Sequence, residues 1–158
     1  MGIAATKRGR AVGGVVAAGA LVMALTNCGG GTPTRSPKDV VKDYVSGLHD
    51  HDYSKACDQV TPGLQSKCNE QLPSAGVKSV DMHVGDQVIS GDRAMVATTG
   101  KLCIGGQCST YTEKTSGMPT KSKSFDEAFA AASDPDKAND LGAVVLVKHK
   151  GKWYIQLT

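Results

Sequence analysis

The sequence predicts an α+β domain in which N-terminal helices pack on a curved antiparallel sheet, and three observations predict it. Apolar residues recur at helical spacing after Ser36. From Val77 the period drops to two. The strand-like runs are then separated by short turns, several of them rich in glycine, which suit antiparallel neighbours.

The elements follow in order. Ser36-Pro37-Lys38-Asp39 opens the first helix, with serine as cap, proline at the first position and an acid in the first turn. Val40, Val41, Tyr44, Val45 and Leu48 form one apolar face, and His49-Asp50-His51-Asp52 stops the helix. A second helix is expected from Tyr53 to about Val60, with Tyr53, Ala56, Cys57 and Val60 inward. Thr61-Pro62 breaks it and starts a third segment carrying Leu64, Cys68 and Leu72, which Pro73-Ser74-Ala75-Gly76 closes. Val80, Met82 and Val84 then alternate with Asp81 and His83. Ser90-Gly91-Asp92 turns the chain into a strand from Arg93 to Thr99. Cys103 to Cys108 is a hairpin with Gly105-Gly106 at its tip, and a polar strand is expected from Ser109 to Thr115. Thr112 to Leu141 reads as a long polar insertion, in which Ser124-Phe125-Asp126-Glu127 fits a capping box for a short helix. Phe125 and Phe129 would tack this excursion to the domain. A connection of this length also suggests a lid or a partner surface. Ala143 to Lys148 and Lys152 to Leu157 complete the sheet.

The first 27 residues read differently. Lys7, Arg8 and Arg10 precede an apolar run from Ala11 to Leu25, too short to span a bilayer and suited to a cleavable signal peptide. Leu25-Thr26-Asn27-Cys28 resembles the lipobox of bacterial lipoproteins, with asparagine where glycine or alanine is more usual. The resemblance implies removal of residues 1–27 and lipidation of Cys28. A diacylglyceryl group at least would give stable attachment to a membrane, since one chain alone holds only marginally. Gly29 to Pro37 would then be a flexible tether reaching about 15–18 Å, and residues 38–158 a single domain. The expected location is the extracytoplasmic side of the cell membrane.

Three of the 18 Lys and Arg lie before Cys28 and none of the 15 Asp and Glu does, so the remainder is formally neutral. That excludes an electrostatic footprint for nucleic acid. Export also bears on the other four cysteines, since an even number in an oxidising compartment reads as a disulfide set. Three pairings are open, and locality favours Cys57 with Cys68 and Cys103 with Cys108. Neither spacing is that of a zinc knuckle or a redox motif.

The helix, the Asp52-Tyr53 turn, Thr61-Pro62-Gly63-Leu64, the Ser90-Gly91-Asp92-Arg93-Ala94 turn and the terminal Gly151-Lys152-Trp153-Tyr154-Ile155 strand together resemble the nuclear transport factor 2-like (NTF2-like) fold over residues 37–158. The resemblance implies a cone with a pocket between the helices and the concave sheet. It fixes no activity, since that fold hosts isomerases, dehydratases and non-catalytic binding domains.

No catalytic residue is carried over. Tyr44 and Trp153 are the aromatics placed to reach such a pocket, although Trp153, in phase with Ile155 and Leu157, also reads as core. Asp81 and His83 share the strand face opposite Val80, Met82 and Val84. His49-Asp50-His51-Asp52 has metal-ligand residue types, but adjacent residues in a turn diverge, so no metal and no cofactor are expected. The expectation is a lipid-anchored, non-enzymatic domain that binds a small ligand or an envelope protein. The alternative is a small isomerase or dehydratase using a pocket acid–base pair.

Overall fold

The computed structural model describes residues 35–138 and 140–157; the expected signal segment, the expected lipidation site Cys28 and the expected tether up to Thr34 lie outside the described residues. Helix α1 (Pro37–His49) starts where Ser36 accepts from the Asp39 backbone N–H at 3.2 Å. Pro37, assigned to the tether from sequence, is buried as its first residue, and Arg35 already pairs with Asp43. Gly47 lets α2 (Tyr53–Cys57) cross closely, since a Cβ at Gly47 would stand 2.7 Å from the Ala56 nitrogen. A 3₁₀ turn (Pro62–Leu64), helix α3 (Gln65–Gln71) and a second 3₁₀ turn (Pro73–Ala75) lead to Gly76, whose φ of 71° turns the chain into the sheet.

The second helix is shorter than its apolar spacing suggests. It ends at Cys57 because the next residues are drawn into the sheet. The Ile155 N–H donates to Gln59 at 2.8 Å, and the Thr61 N–H donates to Ile155 at 3.0 Å. Val60, fully buried, is bridged to Ile155 between them.

The sheet has five strands: β1 (Val77–Ser90), β2 (Arg93–Ile104), β3 (Gln107–Tyr111), β4 (Ala143–His149) and β5 (Lys152–Ile155). All pairs are antiparallel, in the order β1-β2-β4-β5, and β3 also pairs with β2. One side of β2 therefore serves two partners in turn. Its first half pairs with β4, from Arg93 opposite Val147 to Ala97 opposite Ala143. Its second half pairs with β3, from Gly100 opposite Tyr111 to Ile104 opposite Gln107. Between them Thr98, 3 % exposed, donates through both N–H and Oγ1 to the Gly142 carbonyl, the latter at 3.1 Å. Gly100, at φ 119°, lies so close to the Asp81 carbonyl that any Cβ would overlap it. Register shifts at Val77/Ser79 and Val84/Gln87 bend β1. The result is the α+β arrangement of helices on a curved antiparallel sheet, cone-like in form.

Side-chain alternation along β2 and β4 feeds two cores. On the concave face Ala94, Val96 and Leu146 meet Val40 and Val41 of α1, with Trp153 and Ile155 of β5. On the other face Met95 and Val145 meet Ala128, Phe129 and Ala132 of α4 (Phe125–Ala132). The segment expected to be a polar excursion is thus a third layer. Its expected strand stops at Tyr111, because β4 takes over that side of β2. The capping box forms as the sequence indicates, with Ser124 and Glu127 each bonding the other's backbone N–H. Phe125 and Phe129 stack at 5.6 Å, with the Arg93 guanidinium 5.5 and 5.2 Å from their ring centres and 2.6 Å from Asp126. A short helix α5 (Pro135–Ala138) follows. Helix α4 thus lies on the face of the sheet away from α1.

Phe129 is 9 % exposed. Replacing it with alanine should remove about 3 kcal/mol of stability by the transfer and cavity terms together. Urea titration would show this as a lower midpoint. A change within about 0.5 kcal/mol, the range of ordinary surface substitutions, would mean that α4 is not part of the core.

Candidate functional site

The four domain cysteines form two bridges. Cys57 of α2 joins Cys68 of α3 with their Cα atoms 5.6 Å apart, and Cys103 joins Cys108 across the β2–β3 hairpin at 4.0 Å. The hairpin tip needs left-handed backbone at two consecutive positions. Gly105 (φ 60°) and Gly106 (φ 86°) supply it.

Tyr44 lies at the seam between three apolar clusters, packing against the α1–sheet core, the Leu48–Val80 cluster and the cluster of Cys57, Val60 and Cys68. Burial raises the pKa of its phenol. Trp153 is 8 % exposed within the α1–sheet core, and Lys148 Nζ lies 5.5 Å from its ring centre. The concave interior is filled at this level by side chains, and Tyr44 and Trp153 serve as its packing.

Two cavities lie along the outer edge of the sheet. A cleft of about 420 Å³ separates α1 from β1, with Lys42, Val45, Ser46 and His49 on the helix and Val80 to Val84 on the strand. A second, of about 240 Å³, continues it past Leu48 and His51 to Lys78 and Ser79. Asp81 and His83 stand clear of the core, with side chains 84 % and 80 % exposed and His83 Nε2 at 3.8 Å from Asp81 Oδ1. The sequence places these two residues on the outer strand face. That the strand would form a sheet edge beneath α1 carries no local signal, since it depends on how the helix crosses the sheet.

His49-Asp50-His51-Asp52 is spent on its own turn. Asp52 caps α2 by accepting from the Lys55 N–H at 3.1 Å. His51, at φ 56°, reaches the Tyr53 hydroxyl at 3.0 Å. Asp50 accepts from His49 at 3.0 Å and from Ser46 at 3.1 Å, and these bonds, His49 first, lower its pKa. No group of three or more metal-ligand residues gathers among the described residues.

No family model and no curated protein matches the sequence. Among solved structures, a SEC-C motif containing protein from Rhodopseudomonas palustris aligns with a TM-score of 0.48 at 13 % identity, over 77 % of this chain and 76 % of that one. A candidate NTF2-like transpeptidase from Campylobacter jejuni aligns with a TM-score of 0.37 at 14 % identity, over 78 % of this chain and 100 % of that one. Neither likeness bears on what this chain does.

A raised phenol pKa means that the folded state holds the Tyr44 proton more tightly than the unfolded state. Its contribution is fully present below pH 10, the ordinary tyrosine value, and is lost as pH rises through the folded pKa. Stability should therefore fall above about pH 10, and Tyr44→Phe should flatten that fall. Parallel denaturation curves of the two proteins at pH 9 and pH 11 would test this. An equal alkaline loss in both would rule Tyr44 out as its source.

Proposed function

We propose that this chain is an exported lipoprotein, held at the extracytoplasmic face of a membrane through Cys28, whose NTF2-like domain binds a partner without catalysis. The observation that carries the reading is the pairing of Cys57, Cys68, Cys103 and Cys108. Two bridges of this kind belong to an oxidising compartment, and the apolar run ending at Leu25-Thr26-Asn27-Cys28 is the route there. On the loop-entropy account the bridges are worth about 3 and about 2 kcal/mol, the larger loop more.

The non-catalytic part of the reading rests on how the domain is filled. Enzymes that work inside a cone keep an acid–base pair facing the pocket. Here Val41, Val96, Leu146 and Ile155 occupy that interior, and Asp81 and His83 lie on the solvent side of β1. An open cleft along β1, lined by Val45, Val80, Met82 and Val84 together with Lys42, Ser46 and His49, offers a surface for another molecule.

Two measurements test the location. Cys28→Ser should move the protein from the membrane to the soluble fraction of cells that export it; retention in the membrane would contradict the lipid anchor. Intact-mass analysis of the exported chain should show Cys57, Cys68, Cys103 and Cys108 without free thiols, and four alkylatable thiols would sink the export reading.

A further inference from the structure

Strand β1 is an outer strand of the sheet: among the described residues it pairs with β2 on one side and with no strand on the other. The opposite outer strand, β5, is closed by the chain at Gln59 to Thr61. Between its two register shifts β1 runs regularly from Ser79 to Val84, and this same stretch lines both clefts. Asp81 turns its carbonyl toward β2 at Gly100. Alternation then directs the backbone groups of Val80, Met82 and Val84 to the open edge. Among the described residues no other backbone group bonds to them.

We propose that the Ser79–Val84 edge of β1 pairs antiparallel with the same edge of a second copy of this chain, about a two-fold axis at Met82. The observation that selects this occupant is that the edge is complementary to itself. An antiparallel register centred on Met82 sets Val80 opposite Val84 of the second copy, and Val84 opposite its Val80. It sets Asp81 opposite His83 of the second copy, and His83 opposite its Asp81. The even register keeps like faces together, so the three apolar residues stay on the α1 side and the polar pair stays outside.

The backbone agrees with this register. The outward groups of Val80, Met82 and Val84 fall at the hydrogen-bonded positions. Asp81 and His83 fall at the non-hydrogen-bonded positions, where facing side chains come closest. The paired stretch is about 20 Å long at ordinary strand rise, so the interface is small and the association weak and concentration-dependent. Two copies joined here form one continuous sheet, and the α1–β1 clefts of both meet at the seam. The inference stands on the edge geometry and does not depend on the lipid anchor.

Cysteine cross-linking of the full chain tests it. With Met82→Cys the two introduced thiols sit on the axis, within the 4.4–6.8 Å Cα range of a disulfide, so mild oxidation should yield a species of doubled mass about tenfold faster than with Lys121→Cys, away from the edge. Asp81→Lys in the Met82→Cys background should slow cross-linking several-fold by placing a cation opposite His83. Exchanging the pair, Asp81→His with His83→Asp, should restore it. Equal rates at positions 82 and 121, or no recovery in the exchanged variant, would overturn the proposal. Sedimentation of the unsubstituted chain at rising concentration guards against a Met82 variant that misfolds. A monomer throughout, or an edge that takes up a foreign extended peptide without self-pairing, would equally refute it.

Discussion

Strand β2 is shared by three others, and the place where one of its sides changes partner constrains the backbone more tightly than any other in the domain. From Arg93 to Ala97 that side belongs to β4, and from Gly100 to Ile104 it belongs to β3. The handover occupies Thr98 and Thr99. Thr98 is buried and gives both its donors to one carbonyl, that of Gly142, which ends the approach of β4. An unmet donor there would cost the desolvation of a buried polar group. Gly100 takes a φ open to glycine and lets β1 and β2 approach without a Cβ between them. Gly142 stands close to Thr98, where a Cβ would overlap the Thr98 carbonyl oxygen. Two glycines and one threonine thus allow a single strand to carry a forked sheet.

The fork explains the layering. Because β4 lies beside the first half of β2, residues 94 to 96 and 144 to 146 present a double row of apolar side chains to both faces. The concave face is covered by α1. The other would leave Met95 and Val145 in water, and α4 covers it with Ala128, Phe129 and Ala132. Arg93 completes that cover through Asp126 and the two phenylalanine rings, its guanidinium over both rings while its charge is met. Among the described residues β1 pairs with β2 alone, which leaves its outer edge open.

The helical end is held by a different set of constraints. It contributes short elements, α2 of five residues and α3 of seven, that could not persist alone. Their order comes from the Cys57–Cys68 bridge, from the close crossing at Gly47, and from the backbone bonds that tie Gln59 and Thr61 to Ile155. The His49–Asp52 turn belongs to this set as well. Its carboxylates satisfy helix ends and a neighbouring imidazole, which is why residue types that could bind a metal are already occupied.

Much of this was legible in the chain. Ser36-Pro37, Ser124 to Glu127 and Gly105-Gly106 specify caps and a turn through their own side chains or their freedom at positive φ, so local chemistry sufficed. The change of period at Val77 revealed the sheet, and the even count after Cys28 revealed the bridges. The length of α2 was not legible, because Val60 is held by β5, far along the chain. The insertion looked polar because its larger apolar residues are few and Phe125, Ala128, Phe129 and Ala132 are spaced for one narrow face; only the back of β2 and β4 shows what that face is for. Tyr44 and Trp153 were recognisable as inward residues, but whether the inside is hollow or filled depends on how α1 sits on the sheet. The sequence by itself determined the order of the elements and several of their caps and favoured the local pairing of cysteines, since these rest on neighbours a few residues apart. The tertiary structure alone decided which strand lies at the edge and where a cleft opens, since those follow from how distant segments divide the sides of β2.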